Sequence, residues 1–272
     1  MATFRTNHLA ALALAASLAV GAAACGSSGG SDSGSGSSGS SDSASGTTWK
    51  VCSDIPYEPF EMEGKGPRGL QYTGFDIELL DSIAEGQDAT LKVTDSDFDT
   101  IFAAVNAGKC DIVASAVTIT DERKENSLFS DPYFDADQSL LVPADSSVAT
   151  LDDLAGKTIG VQSGTTGESY AKDNTPDGAT VKSFPDAAAL FAAISAGQID
   201  AILQDLPVNS ARADKDDSVK VVDKIPTGEQ YGFVVAKENT EVQKVLNTAL
   251  AEAKDDGTYD ELYSKYFPNA GN

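Results

Sequence analysis

The sequence contains a single histidine, His8, within its first 24 residues. Beyond that stretch no imidazole is available, which removes serine–histidine and cysteine–histidine catalysis and histidine-ligated metal sites. Basic residues are also scarce: 19 Lys and Arg against 42 Asp and Glu leave a net charge of −23. Such a charge argues against nucleic acid or an anionic membrane surface as partner, and it suits cationic or zwitterionic ligands as well as plain solubility. After residue 24 no run is apolar enough to cross a bilayer. Two motif imitations fail. Asp95, Asp97 and Asp99 begin like a calcium loop, but Thr100 stands where glycine is needed and Asn106 where glutamate is needed. The glycine spacing of "GSGSSG" follows no strand and is no dinucleotide fingerprint.

Residues 1–24 read as a secretory signal peptide: Arg5, an apolar stretch from Leu9 to Val20, then "GAAAC". Cys25 is the candidate lipid-carrying residue, with ordinary cleavage nearby and a free thiol as the alternative. Residues 25–47 are almost entirely Ser, Gly and Asp and form a flexible tether, with an end-to-end distance of roughly 25 Å. Only Cys52 and Cys110 remain besides Cys25; export permits a disulfide between them, and two buried free thiols are the other reading.

From residue 48 onward short apolar runs alternate with helical periodicity. "WKVCS", "LKVTDS", "CDIVASAV", "SLLVPA", "TIGVQ", "TVKSF", "IDAILQD", "VKVVDK" and "YGFVVAK" read as strands with helices between most of them, the α/β pattern. Phe75, Leu79 and Ile83 share one helix face, and Val242, Val245, Leu246, Ala249 and Leu250 another. Gly257 is a helix stop, and Thr258 with Glu261 spells a capping box for a last helix carrying Tyr259, Leu262, Tyr263, Tyr266 and Phe267. "FAAVNAGKCDIV" (102–113) and "FAAISAGQIDAI" (191–202) match at a constant offset, so the chain contains two similar α/β lobes. The same offset sets Gln204 and Asp205 opposite Ser115 and Ala116 at the carboxyl ends of equivalent strands, where open α/β sheets bind ligands.

The stretch "TITDER" carries the chemistry. Thr120 is a helix N-cap, and Arg123 occupies the first-turn position where a capping box would have glutamate. A guanidinium beside unpaired backbone N–H groups makes a fork for a carboxylate. "VQSGTTGESY" offers a second anion site at a helix start, with Thr165 and Glu168 spelling a capping box. Asp205 supplies the opposite charge; it reads either as the N-cap of the helix beginning "LPVNSARAD" or as the partner of a ligand ammonium. Asp54 and Tyr57 in "SDIPYEPF" and Phe98 in "DSDFDTIF" suit a side chain with a flat or cationic end.

These residues resemble the family 3 extracellular solute-binding proteins, the polar amino-acid receptors of ABC importers. The likeness runs from about Lys50 to Phe267 through "YEPFE", "GFDIELLDSIAE", "DFDTIFAAVNAGKCDIVASAVTITDERKENSLFSDPYF", "VGVQSGTTGESYA", "FAAISAGQIDAILQDLP" and "DDGTYDELYSKYF". The resemblance implies two Rossmann-like lobes joined by two crossing segments, the type II periplasmic-binding-protein fold. Lobe 1 would hold residues 48–132 and 232–272, lobe 2 residues 138–226, and the hinge segments residues 133–137 and 227–231. By the same resemblance Arg123 takes the ligand's carboxylate and Asp205 its ammonium. Ser115, Ala116, Thr118, Thr165 and Thr166 match positions that contact the amino-acid backbone, and Asp54, Tyr57, Phe98, Gln162 and Gln204 match positions around the side chain. The implied protein is a monomeric receptor, not an enzyme, without cofactor or metal. It captures a polar or basic amino acid of glutamine, arginine or lysine type and delivers it to a membrane permease from a lipid anchor on the outer face of the cytoplasmic membrane. The alternatives are a secreted dehydratase of the same fold for a prephenate- or arogenate-like substrate, with Asp54 or Glu61 as general acid, or an amino-acid sensor domain.

Overall fold

The computed structural model describes residues 46–268. The expected signal peptide, the candidate lipid-carrying Cys25 and the expected tether up to Ser45 lie outside the described residues. The chain begins with β1 (Thr48–Ser53), a hairpin of β2 (Met62–Glu63) and β3 (Tyr72–Thr73), α1 (Phe75–Gly86), β4 (Thr90–Asp95) and α2 (Phe98–Asn106). β5 (Ile112–Val113), α3 (Asp121–Asn126), β6 (Ser127–Phe129) and the long β7 (Phe134–Pro143) follow. Next come β8 (Thr158–Gln162), α4 (Thr166–Asn174), β9 (Thr180–Phe184), α5 (Ala187–Ser195), β10 (Ala201–Asp205) and α6 (Leu206–Ala213). The 13-residue β11 (Val219–Tyr231), β12 (Val234–Ala236), α7 (Thr240–Asp255) and α8 (Thr258–Tyr266) complete it. Among the described residues no helix is long and apolar enough to cross a membrane.

Two five-stranded sheets result. The first has the order β4-β1-β5-β12-β6 and the second β11-β7-β10-β8-β9. In the first, β1 runs parallel to β4 and β5, while β12 returns antiparallel between β5 and β6. The late part of the chain is therefore stitched into the sheet that its beginning started. In the second, β8 lies parallel to β9 and β10, β7 is antiparallel to β10, and β11 is antiparallel to β7. The β7–β11 pair runs from Phe134 opposite Tyr231 to Pro143 opposite Val219, so both passages between the sheets lie side by side.

The repeat read in the sequence is physical. α2 and α5 are each C-capped by an alanine, Ala107 and Ala196, followed by a glycine in the left-handed region, Gly108 at φ 70° and Gly197 at φ 65°. Their closing bonds match: Gly108 N–H donates to Val105 and Lys109 N–H to Ala104, and Gly197 N–H donates to Ile194 and Gln198 N–H to Ala193. The repeat's aspartates also do the same work. Asp111 accepts the Lys50 N–H at 2.8 Å and Asp200 the Thr158 N–H at 2.7 Å, each tying the strand after the helix to its neighbour.

Phe75, Leu79 and Ile83 are buried on one face of α1, as their spacing requires. Aromatic edges fill the space around them: Phe60 meets Phe134 with ring centroids 4.9 Å apart, and Phe75 meets Phe267 at 5.3 Å. Such pairs add roughly 0.5–1.5 kcal/mol each beyond the area they bury. Cys52 and Cys110 form a disulfide across 58 residues, between β1 and the turn before β5. Gly257 does stop α7, in the left-handed region at φ 90°. The expected Thr258–Glu261 capping box is absent. Gly257 itself is the N-cap, and Asp256 accepts the Thr258 N–H at 2.9 Å, the bond that the box would have given to Glu261. The short strand β6 and the β2–β3 hairpin were not legible as strands.

Candidate functional site

The carboxyl ends of β1, β5, β8 and β10 face one another across a narrow, nearly closed cavity of about 10 Å³. Asp54, Tyr57, Phe98, Ser115, Ala116, Thr118, Arg123, Gln162, Thr165, Thr166 and Asp205 line it. Gln204 does not. Successive side chains of a strand point to opposite faces, and Gln204, next to Asp205 on β10, has its amide buried with neither polar atom bonded.

Arg123 is the cavity's cation. Thr120 caps α3 by accepting the Arg123 N–H at 3.1 Å, which leaves the arginine side chain free to turn inward. Its Nη1 donates to the Thr118 carbonyl at 2.7 Å and its Nη2 to the Gly164 carbonyl at 3.0 Å. The guanidinium carbon sits 5.4 Å from the Phe98 ring centre and 5.1 Å from that of Phe102. Stacking of this kind holds the planar group in place. Burial lowers the Arg123 pKa, and the charges of Asp205 and Glu229 oppose that effect.

Opposite the arginine, Thr165 caps α4 by accepting the Glu168 N–H at 3.1 Å. Glu168 closes the turn one residue earlier than a standard box, accepting the Gly164 N–H at 2.9 Å. Asp205 stands at the start of α6 in a non-helical conformation, yet its carboxylate makes no capping bond. It accepts from Gln138 Nε2 at 2.5 Å and from the Tyr231 hydroxyl instead. Burial pushes its pKa up to about 6, the charge of Glu229 adds to the rise, and the hydrogen bonds from Tyr231, Gln138 and Tyr57 oppose it.

At another part of the wall, Ser115 Oγ accepts the Asp54 N–H at 3.0 Å, and Gln162 Nε2 donates to the Asp54 carboxylate from the second sheet. Burial pushes the Asp54 pKa up to about 7; the Gln162 bond opposes the rise, and the nearby acids Asp186, Asp95 and Asp97 add to it. Asp54 is thus a buried carboxyl in an acidic neighbourhood with an amide, and no cation, against it.

Three groups supporting this site escaped the sequence reading. Glu229, on β11, accepts from the hydroxyls of Thr118 and Thr166, both at 2.7 Å. Tyr231 lies two residues further on the same strand and is fully buried, so the strand's alternation was the available signal. Behind Ala116, whose φ is 43°, Asp76 accepts the Ala116 N–H at 2.8 Å and the Tyr133 hydroxyl at 2.5 Å. Glu61 is buried beside Asp76, and desolvation followed by the Asp76 charge raises its pKa well above the usual carboxyl range. Among the described residues no cluster of potential ligands could hold a metal ion.

Two sheets, paired crossing strands and a cavity with one guanidinium and two carboxylates at strand ends define a two-lobed binding protein of the α/β class. The chain belongs to the bacterial extracellular solute-binding proteins, family 3, whose family model matches residues 49–269. It is 34% identical over 233 residues to a probable histidine-binding protein of Neisseria gonorrhoeae, covering 83% of this chain and 85% of that protein. It is 33% identical over 232 residues to the lysine/arginine/ornithine-binding periplasmic protein of Escherichia coli K12, covering 81% and 87%. Among solved structures, an ancestral arginine-binding protein bound to glutamine superposes with a TM-score of 0.76 at 38% identity, covering 81% of this chain and 97% of that one.

Proposed function

We propose that this protein is the receptor of an ABC importer for a basic amino acid, of arginine or lysine type. The observation that carries the choice of cargo is Asp54, buried with an amide on its carboxylate and the charges of three further acids acting on it. Inside the cavity the protein offers one positive group, Arg123, and two acidic ones, Asp205 and Asp54. A ligand with one carboxylate and two cations complements that set, because a buried charge is tolerated when an opposite charge meets it. Arg123 and the start of α4 take the α-carboxylate, with Ser115, Ala116, Thr118, Thr165 and Thr166 around the amino-acid backbone. Asp205 takes the α-ammonium. Asp54 takes the side-chain cation, with Tyr57, Phe98 and Gln162 around it and Gln204 packed behind.

The mechanism is capture by closure. Residues 48–132 and 232–272 form one lobe, residues 138–226 the other, and the β7–β11 pair at 133–137 and 227–231 is the hinge. Ligand contacts from both lobes favour the closed state, and a permease in the membrane recognises that shape. The protein acts as a monomer, exported and held to the membrane's outer face through Cys25 and the tether. It is a carrier and not an enzyme; the curated relatives above carry names of binding proteins. One observation favours a second cargo: Gln162 already places an amide on Asp54, an arrangement a glutamine side chain could share.

A thermal-shift panel of the common amino acids, ornithine and citrulline on ligand-stripped protein tests the reading. The largest rise in Tm is expected with arginine, lysine or ornithine. A largest rise with glutamine would move the cargo to the second reading, and no rise with any amino acid would overturn the receptor assignment.

A further inference from the structure

Glu229, on the crossing strand β11, touches no ligand group in the capture scheme above, and its carboxylate makes three hydrogen bonds at the ammonium end of the cavity. It follows a register shift in the β7–β11 pair between Ile225 and Glu229, the kind of irregularity that re-aims a side chain. Oε2 lies 2.7 Å from both Thr118 Oγ1 and Thr166 Oγ1, and Oε1 accepts from Gln138 Nε2 at 3.1 Å. The two threonine oxygens are themselves 3.5 Å apart, one from each lobe.

The direction of these bonds is settled by chemistry. A carboxylate oxygen has lone pairs and no proton, so each threonine must donate to it. The 2.7 Å contacts take the threonine protons, while Gln138 Nε2, whose two hydrogens serve Asp205 and Glu229, lies a longer 3.4 Å from Thr166 Oγ1. The proton of Thr166 is therefore committed to Glu229. A hydroxyl whose proton is committed presents only lone pairs elsewhere, and both threonines line the cavity. Asp205, bonded through Gln138 to the same network, is likewise an acceptor.

We propose that Glu229 is a positioning residue that fixes the Thr118 and Thr166 hydroxyls as acceptors, so that with Asp205 they form an acceptor-lined subsite selecting an ammonium over a hydroxyl on the ligand's α-carbon. This rests on the amino-acid reading above and deepens it. An ammonium brings three donors and a charge to such a subsite, whereas a hydroxyl brings one donor and lone pairs that meet other lone pairs.

The test is titration of the full protein with L-arginine and with its α-hydroxy analogue, in the natural protein and in Glu229→Gln. The glutamine amide can donate to a threonine oxygen and turn that hydroxyl's proton into the cavity. The natural protein is expected to prefer arginine, and Glu229→Gln to shrink that preference by roughly ten-fold or more, as a hydrogen bond to a charged group implies. Equal weakening of both ligands, or no change in either, would overturn the proposal by reducing Glu229 to a structural contact. Thr166→Val, which deletes one oriented acceptor, must narrow the preference too; it decides the matter alone if Glu229→Gln does not fold. Failure of the natural protein to bind arginine at all would instead strike at the amino-acid reading itself, and the proposal would fall with it.

Discussion

Arg123 Nη2 donates to the Gly164 carbonyl at 3.0 Å, so the guanidinium assigned to the ligand's carboxylate also joins the two lobes. Its other arm holds the Thr118 carbonyl on its own side at 2.7 Å. Removing it takes away a ligand partner and an interlobe bond together. Arg123→Ala is expected to cost several kcal/mol of binding, as truncating one member of a buried charge pair commonly does. Calorimetric titration checks it: arginine affinity should fall by at least about a hundred-fold, while near-UV circular dichroism stays that of the natural protein.

The contact partner, Gly164, supplies a second expectation. It adopts φ 75°, and a Cβ there would stand 3.1 Å from the Cα of Asp99, at the start of α2 in the other lobe. Gly164→Ala is expected to hold the lobes apart while leaving each one folded. Small-angle scattering should show less compaction on adding ligand than in the natural protein, and affinity should drop. Unchanged compaction would mean that the approach of Gly164 to α2 does not govern closure.

Asp54 makes binding sensitive to pH. With its pKa pushed up to about 7, the group is largely protonated at lower pH in the absence of ligand, and a cation at its side favours the charged form. Binding of arginine should therefore release a proton near neutrality and weaken as pH falls through about 7. Titrations in buffers of different ionisation enthalpy measure that proton directly. Glutamine, which brings no side-chain charge, should show no such release.

The stability of the ligand-free protein should move the other way. Asp54, Asp76 and Asp205 have folded-state pKa values of about 7, 6 and 6, above their ordinary value, and that of Glu61 is raised as well, with burial the leading cause in each. Between the ordinary and the raised values the folded state binds more protons than the unfolded one, so stability falls as pH rises across that window. The acids held below their usual range, Glu78, Glu168, Asp153, Asp216 and Asp256, withdraw their contribution only at lower pH, nearer 4. A Tm several degrees higher at about pH 5 than at about pH 7.5 is expected by scanning calorimetry. A Tm that climbs with pH across that interval would mean the buried carboxyls carry no raised pKa.

The strands and the two-lobed repeat were readable because burial on both faces leaves apolar runs, and because matching helices must end in matching glycine turns. Arg123 stood out because a cation in a helix's first turn opposes the dipole and needs another reason to be there. Glu229, Gln138 and Asp76 did not stand out. An acid in "TGEQY" or "GFDIE" reads as a solvated residue until packing between sheets buries it. The last helix shows the same limit at short range, since Thr258 and Glu261 have the right spacing but Asp256, two residues upstream, reaches the N–H first. Local pattern locates elements; which of two nearby side chains makes a bond depends on geometry that only the assembled chain sets.

The central claim is that the buried carboxylate of Asp54 selects a cationic side chain. It is tested most directly by calorimetric titration of ligand-stripped protein with arginine and with citrulline, which has nearly the same shape and no side-chain charge. The account predicts a preference for arginine of at least about a hundred-fold, the scale of a buried charge partner. Equal affinities, or tighter binding of citrulline, would contradict it.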